Sequence, residues 1–140
     1  MNNALEQKFS VQTIGTISSE LKDLDAAPRQ GTEGAPDAWL EVNASFAAAL
    51  QGVAVDDELI VITWLDRADR NRLQVHPRGD PHNPISGVFA TRSPHRPNPL
   101  GLHRVRVHAI DGKRLRIGPI EAIDGTPVID IKIALNEDAA

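Results

Sequence analysis

Hydrophobic and polar residues alternate most clearly from Leu102 to Ile110. Val105, Val107 and Ala109 fall on one face, and Arg104, Arg106 and His108 on the other. That period of two predicts a half-buried β-strand. Asp111-Gly112 follows as a two-residue hairpin signal. Leu115 and Ile117 resume the alternation on a return strand, with Arg114 and Arg116 pointing away. Phe9–Ile17 is rich in β-branched residues and reads as a strand, and Ala38–Val42 is a short candidate. Glu58–Leu65 is a strongly apolar run that predicts a central strand. Gly87–Thr91 begins another, and Pro127–Ile133 follows a second turn at Asp124-Gly125. Asn43 is placed to cap a short helix over Ala44–Leu50, ended by Gly52. Ser18–Pro36 and Arg67–Pro84 read as loops. Ser93–Pro99 holds three prolines in seven residues and is excluded from helix interiors and central strands. Six or seven short, mostly antiparallel strands and one short helix predict an all-β fold, a single small β-barrel.

Composition narrows this picture. A length of 140 residues predicts one domain. Aromatic residues make up only 4% and Tyr is absent, so the core is aliphatic and a stacking platform for bare bases is not expected. No apolar run approaches the roughly 20 residues of a membrane helix, so no membrane partner is expected. The start MNNALEQKFS lacks the basic and apolar regions of a secretory signal, which predicts a cytoplasmic protein. The lack of cysteine excludes disulfides, thiolate metal sites and a Cys nucleophile.

Charge is unevenly spread. The net charge is -4, yet Arg67–Arg106 holds eight Arg, no Lys and only Asp69 and Asp80 as acids, which leaves -10 for the rest. Guanidinium is a planar fork suited to phosphate or carboxylate. Arg70 and Arg72 sit in the polar run DRADRNR, where solvation of a surface loop is the alternative reading. The five His show no His-x-x-x-His pair, and His103 and His108 point to opposite faces of one strand. Solvated surface His is the commoner case, and no metal site is expected. The Gly-rich Rossmann and P-loop fingerprints and the G-x-S-x-G elbow are all missing. What remains is GVFATRSPHRPNPLGL at Gly87–Leu102, a rigid, extended connection that would present Arg92 and Arg96 from a fixed backbone. A stiff connection with structural Arg pairs is the alternative.

That run, together with IDGTPVIDIK at Ile123–Lys132, resembles the TrmO family, also called YaeB-like, TsaA-like or VirR-like. Pro28-Arg29-Gln30, after an early strand ending near IGTISS, resembles the family's Pro-Arg-Gln segment. The resemblance covers about residues 9 to 132. It implies a β-barrel that binds S-adenosylmethionine outside the Rossmann architecture. The implied activity is N6-methylation of N6-threonylcarbamoyladenosine at position 37 of tRNA. It also implies a homodimer with the cofactor near the subunit contact. Carried over by motif, Pro28, Arg29, Gln30, Asp66, Arg67, Arg92, Leu102, Ala122, Ile123, Asp124 and Gly125 would form the cofactor site. Asp66 departs from the His that relatives often carry before the Arg. Leu102 and Ile123 have plain core packing as their alternative. Arg96 and Arg104 would contact the RNA, Arg96 by pointing outward from its loop.

Two departures bear on the substrate. Relatives commonly continue the last strand as Asp-x-Lys-Pro-Tyr, whereas Asp130 and Lys132 are followed here by Ile133-Ala134-Leu135. The chain also stops eight residues after Lys132, so the C-terminal domain of some larger members is not expected. Two alternatives follow. One is a methyltransferase for another RNA or a small molecule, and the other is a non-catalytic S-adenosylmethionine-binding module. The N6 of a carbamoylated adenine is a poor nucleophile, so loss of its proton would assist transfer. Asp124 and Asp130 are the only carboxylates in the final motif, and with Lys132 they are the candidate catalytic residues. Their structural alternatives are a turn aspartate and a buried pair with Lys132.

Overall fold

The computed structural model describes residues 6–23 and 34–135. Six strands close into one antiparallel barrel: β1 (Gly15–Ser18), β2 (Ala38–Val42), β3 (Glu58–Trp64), β6 (Leu100–Asp111), β7 (Arg114–Gly118) and β8 (Pro127–Ile133). Their order around the barrel is β1-β2-β7-β6-β3-β8. The remaining strands, β4 (Gln74–Val75) and β5 (Ser86–Gly87), pair only with each other. They belong to an arm, residues 65–99, that leaves the barrel after β3 and returns at β6. The all-β barrel expected from the alternation is thus the observed architecture.

Alternation explains the wall. In β3, Leu59, Val61 and Thr63 point inward and their neighbours outward. In β6, Gly101, His103, Val105 and Val107 point inward. Leu59, Val61, Val105 and Val107, with Ile17, Leu40, Leu115, Ile117 and Val128, fill an aliphatic interior. Burying each such aliphatic side chain contributes about 1.5–3 kcal/mol. On the outer face of β2 and β7, the Arg114 guanidinium lies 4.4 Å from the Trp39 ring centre, as befits the outward-facing side of the return strand.

Five local expectations are corrected. Phe9–Ile17 is a strand only from Gly15, because the pairings with β2 and β8 begin there, and Phe9 and Val11 stay exposed. The helix over Ala44–Leu50 is a 3-10 helix, and Asn43 occupies its N-cap position without a side-chain cap bond. Its amide donates instead to the Thr13 carbonyl at 3.0 Å. Gly87–Thr91 is not a strand start: Ser86–Gly87 pairs briefly, and Val88–Ala90 then turns as a 3-10 helix. Ala109 does not share the face of Val105 and Val107. The pairing shifts between Val107 and Ala109, so Ala109 lies opposite outward Arg116 while Ile110 lies opposite inward Leu115. The extra residue, His108, forms a bulge that inverts the alternation. The hairpin itself turns on Gly112-Lys113, and Gly112 adopts φ 60, a left-handed conformation open to glycine.

Candidate functional site

Most of the arm has no strand or helix, yet its chain is held at many points. Its base closes where the Leu65 amide donates to the Pro99 carbonyl at 2.8 Å. Arg70 lies over Trp64 at 5.0 Å and donates to the Pro97 carbonyl at 2.7 Å. The Asp69 amide donates to His95 Nδ1 at 2.9 Å. Within the proline-rich run, the Thr91 hydroxyl accepts from the Ser93 amide, and the Ser93 hydroxyl from the His95 amide. Arg96 completes this frame. Its guanidinium donates to the carbonyls of Ser93, Val88 and Thr91 at 2.8, 2.7 and 2.6 Å. The expectation that Arg96 points outward is therefore not met: its donors are turned into the loop that carries it. Arg92, four residues earlier, is exposed and makes no hydrogen bond or ion pair among the described residues. Asp66 and Arg67 are likewise exposed, on the turn directly after β3.

A second group of predicted residues meets on the barrel's outer wall. The ladder between β3 and β8 shifts between Ile62 and Thr63, so that Thr63 faces Val128 and Ile62 faces Asp130. Ile129 is the extra residue. Without this bulge, Asp130 would share the inward face of Val128. With it, Asp130 and Lys132 lie outward beside Ile62 and Ile60, whose partners on β6 are Leu102 and Arg104. Leu102, Arg104, Asp130 and Lys132 thus share one wall. Leu102 is 51% exposed, which removes the core reading for it. Arg104 is paired with Glu58 at 2.8 Å. Asp130 and Lys132 stand 3.7 Å apart with both side chains half-exposed or more, so the pair is not buried.

The third group is the turn before β8. Ala122 and Ile123 are buried, and Ile123 matches the core alternative. Asp124 accepts from the Ser19 amide at 3.0 Å and pairs with Lys22 at 3.2 Å. The Ser19 hydrogen bond, and then Lys22, hold its carboxyl below the usual carboxylate range. Such a carboxylate is a weak proton acceptor, and its contacts are those of a turn anchor. Gly125 is exposed at φ 83, and its amide donates to the Ile17 carbonyl at 2.7 Å. Pro28, Arg29 and Gln30 lie outside the described residues.

Sequence reasoning missed a buried polar cluster. His103 is not a surface histidine but is only 6% exposed. Its Nε2 lies 2.8 Å from the Thr63 hydroxyl, and its Nδ1 bonds the Glu121 carboxylate. The signal was present: His103 has the same parity as Val105 and Val107, the inward residues of the strand. A cleft of about 450 Å³ also exists, lined by Phe46, Leu50, Val53, Ile133 and, of the predicted site residues, Asp130, but by none of Arg92, Leu102 or residues 122–125. No group of three or more His, Asp or Glu side chains suited to a metal ion occurs among the described residues. No helix among them is long and apolar enough to cross a membrane.

Fold and site together define a class: a small antiparallel barrel with a self-bonded arginine arm, one mixed apolar and charged wall, and an anchored glycine turn. The family profile of the tRNA-methyltransferase O N-terminal domain matches residues 16–137, and the chain belongs to this TrmO N-terminal domain family. A probable S-adenosyl-L-methionine-binding protein of Archaeoglobus fulgidus is 42% identical over 122 residues, which cover 87% of this chain and 33% of that protein. One from Methanocaldococcus jannaschii is 46% identical over 98 residues, covering 67% of this chain and 78% of its own. The crystal structure of TrmO from Pseudomonas aeruginosa superposes with a TM-score of 0.76 at 33% identity, covering 96% of this chain and 60% of that one. The chain therefore spans a third of the Archaeoglobus relative and three-fifths of that TrmO chain.

Proposed function

We propose that this domain binds S-adenosylmethionine and methylates tRNA, with N6 of N6-threonylcarbamoyladenosine at position 37 as the acceptor. The observation that carries the reading is the family match over residues 16–137, which spans both motif-bearing regions, the arm and the turn. The residues present fit the cofactor. Arg67 and Arg92 are exposed guanidinium groups suited to its carboxylate. Leu102 offers an exposed apolar contact, and the Gly125 turn lets backbone approach the ligand. Ala122 and Ile123 back that turn from inside. Bound S-adenosylmethionine supplies an electrophilic methyl group.

The chain's own part is positioning and proton transfer. Asp130 is better suited than Asp124 to take the N6 proton. It faces the outer wall beside the Ile62–Leu102 pair, and its recorded partners are the Ile131 amide and the looser Lys132 contact. Lys132 Nζ stands 3.7 Å from the Asp130 carboxylate on the same wall. Arg104 lies on the same wall, within reach of an RNA phosphate bound there. The strip of Ile62, Trp64, Leu100 and Leu102 on this outer face supports a homodimer that covers it. A tRNA substrate implies a cytoplasmic protein.

Calorimetry after chelation tests the cofactor claim, with submicromolar to micromolar binding of S-adenosylmethionine or S-adenosylhomocysteine expected. Absence of binding by both ligands refutes it. Mass spectrometry of tRNA nucleosides from a deletion strain tests the acceptor: the methylated nucleoside should disappear. Its persistence alongside intact cofactor binding would favour another acceptor or a non-catalytic module.

A further inference from the structure

The wall between β6 and β7 is incomplete. Their ladder begins at Arg106 opposite Gly118 and runs toward the hairpin. Leu100–Val105 therefore pairs with β3 on one side only. The chain after β7, residues 119–126, passes this open side without a ladder. One side-chain link spans the gap here, from the His103 ring to the Glu121 carboxylate.

This link is built from the interior outward. His103 and Glu121 side chains are 5% and 18% exposed. A carboxylate only accepts, which assigns a proton to Nδ1 and makes His103 the donor. On its other side the ring meets the Thr63 hydroxyl, which is fully buried. Gly101 makes the arrangement possible. A Cβ there would run into Thr63 Oγ1 and lie 2.8 Å from His103 Nε2. Three elements, β3, β6 and the segment after β7, are thereby tied through one imidazole. Buried polar groups are costly unless satisfied, and satisfied ones fix a single geometry.

The position of the link matters more than its strength. Leu102 immediately precedes His103, and Ala122 immediately follows Glu121. Both neighbours belong to the cofactor set proposed above, one on the outer wall and one at the start of the glycine turn. Hydrogen bonds from Ile120 to the Pro36 carbonyl and from Asp124 to the Leu21 carbonyl hold the ends of this segment against other parts of the chain. The His103–Glu121 bond ties its middle to β6.

We propose that Glu121, held by His103 and Thr63, is a positioning residue that sets the separation of Leu102 from the Ala122–Gly125 turn and thereby the affinity for S-adenosylmethionine. The inference rests on the cofactor reading above. Its test is calorimetry with S-adenosylmethionine on the full chain, as wild type, Glu121→Ala, Glu121→Gln and Thr63→Val. The amide oxygen of Gln accepts the same bond from Nδ1, whereas Ala cannot.

Glu121→Ala should weaken binding at least tenfold, and Glu121→Gln should stay within threefold of wild type. Thr63→Val, which replaces the hydroxyl behind the ring by a methyl group, should weaken binding several-fold. Imidazole nitrogen NMR should show a protonated His103 Nδ1 in wild type and Glu121→Gln. That signature should be altered in Glu121→Ala. Unchanged affinity in Glu121→Ala overturns the proposal. So does equal loss in Ala and Gln, which would mean that the charge itself contacts the ligand. If Glu121→Ala does not fold, Thr63→Val decides: weakened binding supports the proposal and wild-type affinity overturns it. Wild-type protein that binds no cofactor overturns the cofactor reading and this inference together, whereas unchanged variants beside a binding wild type overturn the inference alone.

Discussion

The barrel wall and the arm solve the same problem by different means. Between β3 and β6, seven consecutive residue pairs run from Glu58–Arg106 to Trp64–Leu100. Each strand satisfies its backbone through its neighbour and buries every second side chain. The arm, residues 65–99, has one ladder of two pairs. Beside scattered backbone bonds such as Val88 to Leu73, side chains meet many of its backbone groups: Arg70 on Pro97, Arg96 on three carbonyls, and Thr91 and Ser93 on nearby amides. A ladder demands period two and so leaves a readable pattern. A side-chain frame demands particular residues at particular places, and it leaves Arg92 exposed with no hydrogen bond or ion pair among the described residues.

The largest effect separating the two regions should come from the core. Leu40 is fully buried on β2 and packs at the centre of the barrel. Leu40→Ala should cost about 2–5 kcal/mol of global stability through lost burial and a residual cavity. Urea unfolding measures this as a lower midpoint, with barrel and arm amides losing exchange protection together. A loss confined to the arm would show that the barrel does not support it.

The arm should respond locally. Arg96→Ala removes donors from three carbonyls, and hydrogen bonds to charged groups are worth about 1.5–3 kcal/mol. Hydrogen exchange should accelerate in residues 88–99 while barrel amides stay protected. Arg92→Ala should leave stability within about 0.5 kcal/mol of wild type, since Arg92 is exposed and unpartnered among the described residues. It should weaken cofactor binding instead. If the two variants exchange these outcomes, the frame and the ligand-facing arginine have been assigned in reverse.

The same contrast governs what could be read in the sequence. Ala38–Val42 and Pro127–Ile133 were legible to the residue as short, largely apolar runs, the second set off by the Asp124-Gly125 turn. Phe9–Ile14 carries strand-forming residues but is no strand, since propensity does not supply a ladder partner. The bulges at His108 and Ile129 were illegible: an extra residue inverts the facing of everything beyond it without changing composition. The second bulge sends Asp130 and Lys132 outward to join Leu102. Arg92 and Arg96 were placed in one motif, yet their opposite fates depend on where the loop carbonyls fall. His103 was legible by parity alone, but Glu121, its partner across the open edge, lies on no periodic element.

The smallest effect concerns the turn that joins these regions to the start of the chain. Asp124 is held ionised by the Ser19 amide and Lys22, which lowers its carboxyl from the ordinary 3.8. A carboxyl lowered by folding stabilises the native state above its unfolded value, and that stabilisation fades as pH falls through the lowered folded value. Asp124→Asn should therefore be less stable than wild type near neutral pH. The gap should begin to close at about pH 4 and disappear in stronger acid. The effect should be small, because the side chain is 38% exposed and solvent screens the pair. Urea midpoints of both proteins at pH 6 and pH 3 measure the change. A gap that stays constant, or widens in acid, would mean that the turn is held by its backbone bonds to Ile17 and Leu21 and not by the Asp124 charge.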